Sequence, residues 1–470
     1  MTRTVSATVG GRVTNLEIPH EQTPYSFPVT TATANLALAR LDRLPKWPWS
    51  SRLLLNLGGS FFFAFYDIVV IGAGLPAITK QFGVTAQQGG YTITVGLLGM
   101  VIGEFLGAWL ASRKSRVFAL HTALWMFSLG MILSAVAPSL TVLLIARFIA
   151  GLGTGADIAV VVTYIAEISP SKMRGRITGF TTICGYSGIA VVPIVAAGLV
   201  ANYAWGWRVM FALGAVGGIV VLVTRRHIPA SPRMLAERGE DDQLEALVTQ
   251  AENRVRDKVG DLPPVAVASD KPVVEARMRW GVLALFGITW ILYYFGNYGW
   301  VVVGPTILTE AGFSLTNSLT YLSIANLGLV AGSVIAYFVS DRVERKWLLV
   351  GTFALWGVVL AAIAVTQSAL SISALGFVAS LTIGLGVPTF YTYTAEHFPS
   401  RFRPLSMSCT DGIGHLGGAI APIVLISLGF GAAFGAMALS GLAVVVLLLF
   451  TGKTLGRSLE QIARGEPPRP

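Results

Sequence analysis

Twelve apolar runs, most of them about twenty residues long, decide what this chain can become. They fall near residues 52–77, 88–111, 117–137, 140–165, 177–201 and 207–224, then, after a long polar stretch, near 280–304, 315–340, 347–366, 369–394, 404–428 and 430–451. At a rise of about 1.5 Å per residue, a helix of that length crosses the ~30 Å hydrocarbon core of a bilayer. A soluble globule could not cover so much apolar surface. Only 12% of the residues are charged, against roughly 25% in a soluble domain. The 52 glycines suit close helix packing in lipid, where burial from water no longer drives association. The expected fold is an all-α membrane protein, twelve transmembrane helices arranged as two related six-helix bundles.

Charge placement orients the helices. The net charge of +10 would suggest nucleic-acid binding in a soluble protein, but its distribution here is topological. Arg113, Lys114, Arg116, Lys172, Arg174, Arg176, Arg342, Arg345, Lys346, Arg401 and Arg403 all fall in even-numbered connections, whereas the odd-numbered ones hold only Lys80 and Arg208. Basic residues stay on the cytoplasmic side, so both termini and the central polar segment are expected there. The divisions are a cytoplasmic segment 1–50, an N-terminal bundle 51–224, a linker with short helices 225–279, a C-terminal bundle 280–451 and a tail 452–470. The polar N-terminus lacks the apolar centre of a cleaved signal. Cys184 and Cys409 lie in apolar runs and read as packing residues.

The halves repeat. Tyr164, Glu167, Pro170 and Arg174 recur as Tyr393, Glu396, Pro399 and Arg403, each 229 positions on, and Pro76 and Arg113 recur as Pro305 and Arg342. One offset shared by several helices is the mark of a duplication. Parallel repeats of six spans build transporters that rock about a site near the membrane midplane.

With these residues the chain resembles the major facilitator superfamily from about Leu41 to Glu460, and within it the sugar-porter, metabolite:proton-symporter and organic-ion (niacin-like) branches. The run Tyr164 to Pro170 followed by Arg174 and Gly175, the run Tyr393 to Pro399, Arg147 with Gly151, Gly153 and Gly155, Ser231-Pro232-Arg233, and Arg40 to Pro45 carry the resemblance. There are departures. Ser112 stands where the family has an aspartate before Arg113, Glu344 replaces a glycine after Asp341-Arg342, and Leu292 and Tyr293 occupy the positions of the hexose carriers' glutamine pair. The last change counts against an ordinary hexose.

Ionisable residues within spans are costly, at least ~2.5–3.5 kcal/mol each, and are therefore candidate functional sites. They are Asp67, Glu104, Arg147, Asp157, Asp411 and His415. Helix rise places Asp67 about 22 Å from one edge and Arg147 about 10 Å from the other, so the two meet at one depth. The reading is a proton switch in which the carboxylate pairs with the cation and takes up a proton when the cavity opens. Proton-coupled sugar symporters that resemble this chain use an aspartate and an arginine at these positions. The competing reading is a static pair tying two helices. Asp411 and His415, spaced i, i+4, share a helix face and could meet solute or a proton, as could Asp157 and Glu104. Glu167 and Glu396, with Arg113, Arg174, Asp341, Arg342 and Arg403, read as a cytoplasmic gate, against the bland alternative of solvated surface pairs.

The seventh span is rich in aromatics, and Tyr294, Asn297 and Tyr298, with Tyr186 and Tyr391, are candidate substrate-cavity residues. Aromatic walls with a few hydroxyls and amides suit flat rings or sugars, although belts and helix packing account for many such residues. Neither a phosphate-cradling loop nor a nucleophile motif appears. No enzyme activity, cofactor, metal ligation or nucleic-acid partner is expected. The function read from all this is proton-coupled symport of a small organic solute through the lipid bilayer, with a monomer sufficient. The alternatives are a drug or organic-cation:proton antiporter and a non-transporting nutrient receptor on the same fold.

Overall fold

The computed structural model describes residues 3–9, 12–18, 32–225, 228–265, 278–340, 342–366, 368–398 and 403–454, without the side chains of residues 3–32, Lys172, Arg403 and Pro404. Two short strands, β1 (Arg3–Val9) and β2 (Arg12–Ile18), pair as an antiparallel hairpin. The helix α1 (Ala32–Asp42) follows, and then six membrane helices with a short break after the fourth: α2 (Ser51–Phe82), α3 (Ala86–Arg113), α4 (Arg116–Val136), α5 (Leu140–Ile168), α6 (Arg174–Leu199) and α7 (Gly206–Thr224). The linker forms α8 (Pro232–Arg238) and α9 (Asp241–Val259). The second half begins with α10 (Trp280–Tyr298), a π-helical turn at Gly299–Val303 and α11 (Gly304–Glu310), which together make one span. It continues through α12 (Leu315–Val339), α13 (Arg345–Ala364), α14 (Ala369–Glu396), α15 (Arg403–Leu425) and α16 (Phe430–Leu449). Among the described residues eleven spans are long and apolar enough to cross a membrane; α15, which carries Asp411 and His415, is the twelfth membrane helix of the fold. The seventh span outruns its apolar signal, since the helix continues past Pro305 to Glu310. A proline in the first turn after the π turn costs little, because its missing N–H needs no partner there.

Local chemistry sets the helix starts. Ser50, Thr85, Ser115, Ser139 and Ser314 each accept a hydrogen bond from the backbone N–H three residues on, which satisfies a donor that the helix cannot. Thr85 and Gln88 close a reciprocal capping box.

The duplication is also visible in packing. A Cβ at Gly99 or Gly103 of α3 would lie 2.5 or 2.2 Å from the carbonyl oxygen of Phe148 or Leu152 in α5. Their equivalents Gly328 and Gly332 of α12 face the Phe377 and Leu381 carbonyls at 2.3 and 2.1 Å. Only glycine permits this backbone approach, which replaces the absent hydrophobic drive with dense van der Waals contact.

The halves meet mainly along two seams, α3 against α15 and α6 against α12, and α2 also packs on the π turn and α11 of the seventh span. Toward the end away from the basic loops, Gln87 Nε2 donates to the Ile423 carbonyl at 2.9 Å and Thr94 Oγ1 to the Ala419 carbonyl at 2.8 Å. At the basic end, outside the spans, α1 packs on α9. Arg40 and Arg43 meet the Glu252 carboxylate at 2.7 and 2.5 Å, and Arg40 also meets Glu245 at 2.5 Å. Burial works to raise the Glu252 carboxyl, but hydrogen bonds from the two guanidinium groups outweigh it and hold that group below its ordinary value.

Candidate functional site

Three clusters of ionisable side chains lie inside the helical body. In the first, Arg147 Nη1 of α5 donates to Asp67 Oδ1 of α2 at 2.6 Å, and Thr154 Oγ1 donates to Asp67 Oδ2 at 2.8 Å. The guanidinium also lies 5.5 Å from the centre of the Phe211 ring. Asp67 and Arg147 are 1% and 3% exposed, so two ions are held out of water by one another. Such a pair is expensive to break, because either partner left alone is an uncompensated buried charge. Beside it is a void of about 10 Å³, room for about one water molecule, lined by both residues with Ile68, Ile93, Met100 and Thr154.

In the second cluster Arg225 Nη1, at the end of α7, donates to Asp157 Oδ1 at 2.9 Å, and Ser60 Oγ donates to its Oδ2. Arg225 Nε donates to Asn56 Oδ1 at 2.9 Å, and Asn56 is itself anchored to the Val221 carbonyl at 2.8 Å. Arg225 is fully buried, although its place after the sixth apolar run put it with the basic loops. The ion pair ties α5 to α7.

The third cluster joins the halves. Glu104 of α3 lies 3.4 Å from His415 Nδ1 of α15. The hydroxyls of Tyr294 and Tyr391 donate to Asp411 Oδ1 at 2.6 and 2.8 Å and lie 2.9 Å from each other. Tyr294 stacks on the His415 ring at 4.1 Å and on Tyr298 at 5.2 Å. Tyr186 of α6 packs edge-on against Phe65. Asn297 is buried, and its Oδ1 has no hydrogen-bond partner among the described residues. Other aromatics of the seventh span are structural: Trp290 stacks on Phe390 at 4.2 Å, and Trp300 Nε1 donates to Ser380 Oγ at 2.9 Å.

At the basic end the glutamates expected to form a gate do meet arginines, but not the expected ones. Glu167 takes Arg116 Nη2 at 2.8 Å and the Ser231 hydroxyl at 2.5 Å, and Glu396 takes Arg345 at 3.3 Å. Arg113 and Arg342 are exposed instead. The reason is helical phase: Arg116 and Arg345 open α4 and α13, whose first turns face α5 and α14. Arg116 and Arg345 also differ by 229, so the repeat held this signal. Arg174 Nη2 meets Asp42 of α1 at 2.8 Å. Asp341 and the Arg403 side chain lie outside the described residues.

Ser60, Thr154 and Arg225 are further members of these clusters that sequence reasoning missed. A hydroxyl inside a membrane helix usually bonds its own backbone, so only tertiary contact distinguishes those two.

Comparison with known proteins agrees with this architecture. The profile of the family described as "Sugar (and other) transporter" matches residues 53–465. A putative metabolite transport protein of Bacillus subtilis, YyaJ, is 28% identical over 88% of this chain and 95% of its own. The niacin transporter NiaP of Acinetobacter baylyi is 29% identical over 90% of this chain and 99% of its own. Among solved structures, the inward-open xylose transporter XylE from E. coli aligns with a TM-score of 0.69 at 21% identity, covering 90% of this chain and 100% of that one.

Proposed function

We propose, from the premise that the chain belongs to the sugar (and other) transporter family of major facilitator transporters, that it moves a small organic solute together with protons by alternating access. The observation that carries this reading is the Asp67–Arg147 pair, buried at 2.6 Å beside a void about one water in size. A proton entering that space neutralises the carboxylate and removes its hold on the guanidinium. Arg147 then keeps its weaker contacts with the Asp67 carbonyl and Met131. When the pathway opens to the side of lower proton concentration, the proton leaves and the ion pair re-forms. Proton and solute together thus select the state that crosses, since each shifts the equilibrium only by its differential affinity for the two states.

In this scheme Tyr186, Tyr294, Asn297, Tyr298 and Tyr391 line the solute path. Stacked rings with hydroxyls suit a flat ring, and two relatives are named as carriers of niacin and benzoate. The solute we favour is therefore a small aromatic or heteroaromatic acid, with a sugar second. The Arg116–Glu167 and Arg345–Glu396 pairs break and re-form as the basic end opens. The basic loops support cytoplasmic termini, and the reading is completed by a monomer in the plasma (inner) membrane.

The test is proton movement in proteoliposomes that enclose a pH dye, challenged in turn with aromatic acids, sugars and organic amines. Inward proton flow driven by one class supports symport and identifies the solute class. Solute counterflow without proton movement would refute coupling through Asp67, and outward flow with amines would make the protein an antiporter.

A further inference from the structure

We propose that Glu104, Asp411 and His415 form a site for one divalent transition-metal ion that bridges the two six-helix halves. Glu104 comes from α3 of the first half, while Asp411 and His415 lie one turn apart on α15 of the second. One ligand atom from each residue lies within 4.8 Å of the other two. Around a tetrahedral ion with bonds of about 2.1 Å, ligand atoms stand about 3.4 Å apart. Closing the set therefore requires an inward shift on the order of 1 Å, which side-chain rotation supplies.

Glu104 points into this set with spare capacity. It is 3% exposed, and its Oε1 has no hydrogen-bond partner among the described residues; the imidazole nitrogen 3.4 Å away approaches without bonding. Leaving a buried carboxyl oxygen without a partner costs free energy that ligation would recover. Gly412 makes the room, since a Cβ there would lie 2.7 Å from Glu104 Oε2. Asp411 is fixed by two tyrosine hydroxyls. The His415 ring is held by the stacked Tyr294, with Nδ1 2.9 Å from the Asp411 carbonyl. Partners of this kind orient metal ligands in known sites. Two carboxylates and an imidazole suit zinc-like ions. Among the described residues no lysine or arginine pairs with Glu104 or Asp411, so a dication would balance both carboxylates as it displaces their protons.

The other seam gives the control. Positions equivalent by the 229 offset are Ser333, Thr182 and Tyr186, which offer no such ligand set. An ion held by one seam alone would staple α3 to α15 and resist the relative movement of the halves that alternating access needs.

Zinc titrated by calorimetry into the full-length protein in detergent, with magnesium as the comparison ion, tests the binding. One saturable zinc site is expected, weakened at least tenfold in Glu104→Gln and in Asp411→Asn. It should be retained in His415→Cys, whose thiolate also ligates zinc, which separates ligation from packing. Equal zinc affinity in the wild type and Glu104→Gln, or loss in all three variants alike, would overturn the site. The readout needs no transport, so failure of proton coupling leaves it standing. Solute counterflow in proteoliposomes tests the bridge. Zinc should slow it in the wild type and lose that effect in Glu104→Gln, while zinc that binds without slowing counterflow would overturn the staple.

Discussion

The two halves are copies at one offset, and they have divided the labour. Where the first half carries Asp67, Arg147 and Asp157, the second carries Gly296, Gly376 and Gly386. A Cβ at Gly376 would lie 2.8 Å from the Trp300 ring, so apolar contact fills the place of an ion pair. The reverse holds for aromatic hydroxyls: Tyr294, Tyr298 and Tyr391 answer to Phe65, Val69 and Val162. Backbone contacts, by contrast, are conserved between the copies, as the Gly103–Leu152 and Gly332–Leu381 approaches show. What both halves need in order to pack has been kept, and what only the whole needs has been assigned to one side. The Asp67–Arg147 pair sits in the first half, where it reads as coupling. Of the tyrosines assigned to the solute path, all but Tyr186 sit in the second, where they read as recognition.

The largest break of this division is Asp67→Asn. Neutralising the carboxylate keeps its shape and removes the proton's site, so uphill accumulation should fall to simple equilibration while solute counterflow continues. Accumulation that survives would move coupling out of the first half. Next is Arg225→Met, which strands Asp157 as an unpaired buried charge and should cost about 3–5 kcal/mol of stability. Adding Asp157→Leu should return most of that loss, as read by thermal unfolding, because a buried pair replaced by packed apolar groups is often neutral. This separates a structural ion pair from the Asp67 pair, whose loss acts on coupling. Smaller again, Gly103→Ala and Gly332→Ala should each destabilise by about 1–3 kcal/mol, and by similar amounts. Unequal losses would show that the shared scaffold is less symmetric than its glycines.

How much of this could be read from the sequence depends on the range of the interaction. The spans and their duplication were legible because hydropathy and the 229 offset are local counts. The meeting of Asp67 with Arg147 could be reasoned because both sit on straight helices of known rise, and depth alone brings them together. Arg225 could not, because hydropathy places a charge after the last apolar residue in water, whereas here Asn56 and Asp157 draw the guanidinium inward. The Arg116 and Arg345 pairs turned on helical phase, which a loop motif does not report. The grouping of Glu104 with Asp411 and His415 joins residues about 300 positions apart, so no spacing rule reaches it. The linker position of Ser231 was read as part of a family motif, but its hydrogen bond to Glu167 needed the folded chain.

The smallest effect is also the sharpest test of the recognition side. Tyr391→Phe removes one hydroxyl from Asp411 and leaves the Tyr294 bond in place, so the carboxylate is not stranded. The net loss should be about 1 kcal/mol, appearing as a rise of roughly fivefold in the KM for solute. The ring remains to pack against Trp290, so thermal stability should change little. If the second half only recognises solute, the number of protons moved per solute must be the same in this variant as in the wild type. A changed ratio would mean that the proton path runs through the tyrosines as well as through Asp67, and the division between a coupling half and a recognising half would fail at the residue where it is easiest to measure.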